Sequence, residues 1–182
     1  GALGMQLTDA LFDLCKGDKY PIIAIDGPAG AGKTTLASHL SAALALKYSV
    51  NVIHLDDIYR GWELALSQSL TEDLTAIVKA HQSGSEITYL PFNWAKGEQG
   101  ASLTLPQRDL LILEGVGSAQ SAIRPLISAS IWIDVDPHTG YDRVIARDGD
   151  SISGEMKKWL IAQEQHFARE STEKAADFAL TN

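Results

Sequence analysis

A single cysteine, Cys15, among 182 residues leaves no partner for an internal disulfide and no thiolate set for a zinc module. That usage fits a reducing compartment, so a cytoplasmic location is expected, with Cys15 a buried, unreactive thiol. No apolar run approaches the roughly 18 residues a spanning helix needs, and no membrane partner is expected. The first apolar stretch is amphipathic and broken, so no cleavable secretory leader is expected either. Gly1 is no translational start, and Gly1 to Gly4 ahead of Met5 reads in part as an addition from cloning. Cations are also scarce: 15 Lys and Arg stand against 23 Asp and Glu, a net charge of −8. A nucleic-acid polymer needs a basic face that releases counterions from its phosphates, so it is excluded as a partner. A small anion escapes that argument, because a few local donors outweigh a distant field over a Debye length of about 8 Å. The five histidines (His39, His54, His81, His138 and His166) lack metal-ligand spacing, which argues against zinc.

What is present suits one α/β domain with a mostly parallel sheet. Leu7, Ala10, Leu11 and Leu14 recur at helical spacing, with Thr8 as N-cap, inside an N-terminal segment of residues 1–19. Pro21 to Asp26 is a short unbroken apolar run, as a strand buried on both faces requires. A glycine-rich turn follows, then an amphipathic helix through Leu36, Leu40, Ala43 and Leu44 to about Tyr48, then a strand over Val50–Leu55. That order is a βαβ unit. Ser69 with Glu72 reads as a capping box opening a third helix that Gly84 stops. Residues 87–105 are aromatic, contain Pro and Gly, show no clear period, and read as an excursion on the substrate side. Further strands are expected at 110–113 and 131–135, the second carrying Trp132 into the core. Asp136-Pro137 then caps a helix. A final helix over about 155–168 precedes an edge strand at Phe178-Ala179-Leu180.

Gly27-Pro28-Ala29-Gly30-Ala31-Gly32-Lys33-Thr34 satisfies G-x-x-x-x-G-K-[ST] at every fixed position, between a buried strand and an amphipathic helix. Glycines let successive backbone N–H groups turn toward one point, and the helix N-terminus adds positive potential there. Lys33 is expected to reach the β- and γ-phosphates of a nucleotide and the Thr34 hydroxyl to ligate Mg²⁺, while Thr35 contacts a phosphate or caps the helix. Asp56-Asp57-Ile58-Tyr59 closes the second strand at the edge where ligands bind in open α/β sheets. Two adjacent carboxylates are costly there unless solvated, paired or used. One can take a hydroxyl proton while the other supports metal or substrate, and an acidic helix cap is the plain alternative. In extended backbone the two would point to opposite sides. Leu110 to Glu114 is an apolar strand ending in an acid, a Walker-B-like element that makes Glu114 a metal-side candidate. Arg143 and Arg147 lie four apart on one helix face, placed either to close over a transferring phosphate or to pair with Asp148 in solvent. Trp62 and Trp94 fall near loops, where stacking on a ligand ring and simple packing are equal readings.

Taken in order, the phosphate loop, Asp-Asp-Ile-Tyr, Leu-Glu-Gly and Arg-x-x-x-Arg-Asp resemble the uridine kinase and phosphoribulokinase group of P-loop kinases. The compact bacterial uridine kinase-like proteins are the nearest likeness, extending to Arg60-Gly61-Trp62 and the tail residues Trp159, Gln163, Glu164, His166 and Phe167. The resemblance implies a P-loop NTPase three-layer sandwich with a short lid at 143–153, the whole of residues 1–182 forming one domain. It implies ATP and Mg²⁺ as cofactors, and Lys33, Asp56, Arg143 and Arg147 as catalytic residues. Asp56 falls on the base for the acceptor hydroxyl and on the metal side with Thr34 and Glu114. Asp57, Tyr59, Arg60, Trp62 and Trp94 fall on the substrate side. The segment of true uridine kinases that contacts the base is not reproduced; Phe92-Asn93-Trp94 stands in its place. The expected activity is γ-phosphoryl transfer to the hydroxyl of a small molecule, a uridine-like nucleoside first, with a homodimer allowed. A nucleoside monophosphate kinase is the alternative enzyme, for which only Arg60 and Arg124 are spare cations. A nucleotide switch is the alternative class, yet Asp-x-x-Gly and Asn/Thr-Lys-x-Asp strings are both missing.

Overall fold

The computed structural model describes residues 2–182, with the side chains of residues 2 and 3 outside the description. Helix α1 (Ala2–Cys15) leads into strand β1 (Ile22–Asp26), the phosphate loop, α2 (Lys33–Leu44) and β2 (Val50–His54). Helix α3 (Gln68–Gln82) is followed by four short strands, β3 (Ile87–Tyr89), β4 (Phe92–Asn93), β5 (Glu98–Gln99) and β6 (Leu103–Leu105). Strands β7 (Leu110–Glu114) and β8 (Ala129–Asp134) precede α4 (Pro137–Asp148), α5 (Ser153–Glu170), the single turn α6 (Thr172–Ala175) and β9 (Phe178–Thr181).

The central sheet has the order β2-β7-β1-β8-β9, and every neighbouring pair in it is parallel. All residues of β1 and β7 are buried, which is why both read as unbroken apolar runs. Alternation along β1 divides the core into two layers. Ile23 and Ile25 meet Leu11 and Cys15 of α1 and Ala37, Leu40 and Leu44 of α2. Ile22 faces the opposite side, where Leu70, Leu74, Ile77 and Val78 of α3 pack with Met156 and Trp159 of α5. The result is three layers, helices on both faces of a five-stranded parallel sheet. Trp132 is buried as expected, edge-on to Phe167 at 4.7 Å. Cys15 is fully buried, and burial pushes its thiol up to about 11, so it is inert at neutral pH. Among the described residues, no helix is long and apolar enough to cross a membrane.

Several local expectations are corrected. Thr8 does not cap α1, which has already begun; its hydroxyl instead donates to Gly4 O one turn back. The cap of α3 is Ser67, whose Oγ accepts from Ser69 N at 3.4 Å, so Ser69 lies inside the helix. Helix α2 ends at Leu44, with only a turn reaching Tyr48. Residues 55–57 leave the strand as a 3₁₀ turn. The extended alternation expected for Asp56 and Asp57 therefore does not hold. Residues 87–105 are ordered as two small antiparallel ladders, β3 with β6 and β4 with β5. Asp136 does cap α4, its carboxylate accepting from Thr139 N at 3.1 Å with Pro137 in the first turn.

Candidate functional site

The carboxyl ends of the parallel strands bring His54, Glu114 and Asp26 to one edge, because His54 pairs in register with Glu114 and Ile25 does likewise. The loop over residues 27–32 leaves that edge and delivers Lys33 at the start of α2. Gly30 has φ +79, in the left-handed region that only glycine enters freely, and a Cβ there would run into the backbone of Gly140 on α4. The loop is thus pressed against α4.

Four residues outside this loop hold it. Asp26, fully buried at the end of β1, accepts from Gly27 N (2.8 Å), Ala119 N (3.0 Å) and Gly117 N (3.2 Å). Burial pushes its carboxyl up to about 6, against the lowering effect of those N–H donors and of Lys33. Gln163 Oε1 on α5 accepts from Ala29 N at 3.0 Å. Asn182 Nδ2 donates to Ala31 O at 2.8 Å. Arg143 Nη1 donates to Gly30 O at 3.2 Å. The Lys33 ammonium lies on Pro28 O at 2.8 Å; burial lowers its pKa, opposed first by Asp26, then by Glu114 and Asp56.

Glu114 is 3% exposed, and its Oε1 receives both the Thr34 hydroxyl (3.1 Å) and His54 Nδ1 (2.6 Å). A carboxylate only accepts, so the second contact puts a proton on Nδ1. The Glu114 carboxylate and the Thr34 hydroxyl are hard oxygen donors. No group of three or more His, Cys, Asp or Glu able to hold a metal occurs among the described residues. Mg²⁺ uses one or two protein oxygens and takes the rest of its shell from phosphates and water, so the Glu114 and Thr34 oxygens fit the ion.

A cavity of about 640 Å³ opens over the loop. Gly30, Gly32, Lys33, Thr34, Thr35, Asp56, Glu114, Arg143 and Arg147 line its polar half; Tyr59, Trp62, Trp94, Met156 and Trp159 line the other. Ala29 reaches the cavity too, whereas Gly27, Pro28 and Ala31 shape the loop without lining it. Arg147 is on the wall but bound to Asp148 through two 2.8 Å hydrogen bonds, and that guanidinium holds the Asp148 carboxyl below its ordinary range. Asp57 and Arg60 are not brought to the cavity. Arg60 turns away to Asp73, with Nη2 at 2.8 Å and Nε at 3.2 Å. Arg124 is likewise engaged, on Ala119 O and Glu170 O. Trp94 Nε1 donates to Asp56 O at 2.9 Å, which ties the β4–β5 excursion to the acidic turn. Sequence reasoning did not single out Asp26, His54, Gly140, Met156 or Asn182 for the site. A fully buried acid ending a strand before a phosphate loop was the one available signal for Asp26.

The family described as "AAA domain" matches residues 23–159. This chain belongs to that family. A bifunctional pantoate ligase/cytidylate kinase of Synechococcus sp. is 38% identical over 86 residues, 44% of this chain. A protein of the same name from Synechocystis sp. is 36% identical over 86 residues, 46% of the chain. The match spans only 16% of the length of each of these relatives. A structure described as a possible uridine kinase from Bacillus stearothermophilus superposes with TM-score 0.65 at 22% identity, over 96% of this chain and 99% of the other. A candidate fructose transport system kinase from Silicibacter sp. gives TM-score 0.61 at 20% identity, over 93% and 98%. The AAA-domain chain is therefore built on the P-loop fold over nearly all of its length.

Proposed function

We propose that this AAA-domain chain is an ATP-dependent phosphotransferase that moves the γ-phosphoryl group of ATP onto a hydroxyl of an uncharged small molecule. The observation that carries the reading is one cavity lined both by a nucleotide-type phosphate loop with the Asp56 carboxylate and by a cluster of aromatic rings. Lys33 and the loop N–H groups hold the phosphates. Thr34, Glu114 and Asp56 would hold Mg²⁺, which neutralises phosphate charge when bound. Asp56 accepts the proton of the acceptor hydroxyl. The hydroxyl oxygen bonds to Pγ as the bond from Pγ to the bridging oxygen breaks, and ADP leaves with that electron pair. Arg143 and Arg147 face the charge that spreads over the transferring group. By its sequence resemblance a uridine-like nucleoside is the first acceptor to test.

The cytidylate kinase relatives favour a second reading, in which the acceptor is a nucleoside monophosphate. That acceptor brings its own phosphate and needs cations away from the ATP side. Arg60 and Arg124, the two spare candidates, are spent on Asp73 and on backbone carbonyls. A hydroxyl acceptor is the better fit. The test is Lys33→Ala, measured by titration calorimetry with ATP and by acceptor-dependent ADP release. Charge-assisted hydrogen bonds are worth about 1.5–3 kcal/mol, so ATP should bind roughly 10- to 100-fold more weakly and turnover should be lost. Wild-type ATP affinity in the variant would refute the assignment.

A further inference from the structure

The half of the cavity beyond Asp56 is unlike a surface that reads a nucleobase. Its wall is Tyr59, Trp62, Ala65, Trp94, Met156 and Trp159. The rings brace one another: Trp62 meets Trp94 at 5.6 Å and 65°, and Trp159 at 6.3 Å and 72°. Tyr59 meets Trp159 at 5.6 Å, and Phe92 supports Trp94 edge-on at 5.2 Å. A wall braced in this way loses little conformational freedom when a ring is laid on it.

Polar groups on this side are few and already committed. The Tyr59 hydroxyl donates to Val116 O at 2.6 Å, and the Trp94 indole N–H donates to Asp56 O. No Asn, Gln, Ser or His side chain lines the cavity. The charged residues, Lys33, Glu114, Arg143, Arg147 and Asp148, belong to the phosphate loop, the end of β7 and α4. Asp56 alone stands where the hydroxyl must come. A pyrimidine edge and ribose diols laid against such a wall would leave donors and acceptors unmatched, which costs binding. A quaternary ammonium would also find ring faces here, so choline is the competing ligand that the test must include. Meanwhile Trp94 remains 42% exposed at the cavity mouth, apolar area that a bound ring would cover.

We propose that the phosphoryl acceptor is an uncharged alcohol carrying a flat, mainly apolar ring system, held among Trp62, Trp94 and Trp159, face-on to one and edge-on to the others, with its hydroxyl at Asp56. The proposal rests on the phosphotransferase reading and narrows its substrate class. The chemistry is unchanged: the alcohol oxygen bonds to Pγ, ADP departs, and the proton passes to Asp56.

The test compares naphthylmethanol and benzyl alcohol with uridine, cytidine and choline, using calorimetric binding and ADP release with ATP and Mg²⁺. The aryl alcohols should bind and turn over with KM about 10- to 100-fold below that of the nucleosides, because an apolar pocket rejects added hydroxyls only to about that extent. Naphthylmethanol should exceed benzyl alcohol, having more ring to stack. Trp62→Ala should raise the aryl-alcohol KM about tenfold or more, and Trp62→Phe should restore most of it. Aryl alcohols that bind without stimulating ADP release would refute the phosphotransferase reading and leave the ligand class standing. Turnover of uridine, cytidine or choline in preference to the aryl alcohols would overturn the ligand class and leave phosphotransfer standing. Absence of aryl-alcohol binding, with ATP still bound, would likewise overturn it.

Discussion

Replacing Gly140 by alanine sets two effects of known size against each other. In an exposed helix interior, Gly→Ala stabilises by about 1 kcal/mol. Gly140 is buried in α4, however, and a Cβ there would stand 2.5 Å from Ala29 O and 3.0 Å from Val135 Cγ1. The first obstacle is backbone of the phosphate loop, so no side-chain rotation relieves it. Restoring ordinary contact requires a separation of roughly 0.8 Å between α4 and the loop, and overpacking of this kind costs about 1–3 kcal/mol. The net expectation is a loss of about 1 kcal/mol, a fall of roughly 2–4 °C in Tm for a chain of this size. The effect on rate should be larger. Arg143 reaches Gly30 O at 3.2 Å, near the limit of a hydrogen bond, and a shift of that size breaks the contact. An arginine pair displaced by about 1 Å can cost about 10²-fold in kcat. Thermal unfolding and acceptor-dependent ADP release measure both quantities on one preparation. A Tm raised by roughly 2–4 °C with full activity is what an unobstructed helix would give, and it would refute the tight seat of α4 on the loop.

Asp56→Asn should lower kcat about 10²–10⁴-fold in the ADP-release assay, whereas Asp57→Asn, outside the cavity, should change it far less. A dead Asp57→Asn beside an active Asp56→Asn would reverse the two roles. Asp26 should make the fold less stable as pH rises from about 4 to about 6, because its buried carboxyl sits near 6 rather than 3.8 and the native state there holds a proton the unfolded chain lacks. By pH 7 the loss relative to acid is about 3 kcal/mol; urea titrations across pH should show it in wild type and not in Asp26→Asn, and parallel profiles for the two would refute it.

Local pattern revealed what local pattern determines. Strands β1 and β7 are buried on both faces and carry no polar alternation, so their class and position follow from composition alone. The phosphate loop is a contiguous string whose backbone geometry is set by its own glycines. The Asp136-Pro137 cap is visible because its hydrogen bond closes within three residues. Where two caps compete within a few residues, as Ser67 and Ser69 do, the choice turns on backbone angles that side-chain identity does not encode. The alternation expected for Asp56 and Asp57 fails because strand β2 ends at His54 and the chain tightens into a turn. Arg60 looked free only because its partner Asp73 lies on the next helix, one long-range contact away.

The contacts that stayed invisible share a physical cause: they reach the phosphate loop from distant parts of the chain. Gln163 accepts from Ala29 N across 134 positions of chain, and Asn182 donates to Ala31 O across 151. Helix α5 shows why such contacts matter for function. Trp159 and Gln163 are four residues apart and so lie on the same helix face, with Met156 one turn earlier. The first and third of these line the cavity, while Gln163 Oε1 accepts from Ala29 N in the glycine-rich loop. One helix thereby touches both the aromatic wall of the cavity and the glycine-rich loop. If the proposed acceptor rests on Trp159 and the proposed nucleotide on the loop, both touch elements joined through the Gln163–Ala29 hydrogen bond. Under the proposed function, that shared face predicts coupling between the two substrates: acceptor affinity should change when nucleotide is saturating, and an unchanged affinity would refute it.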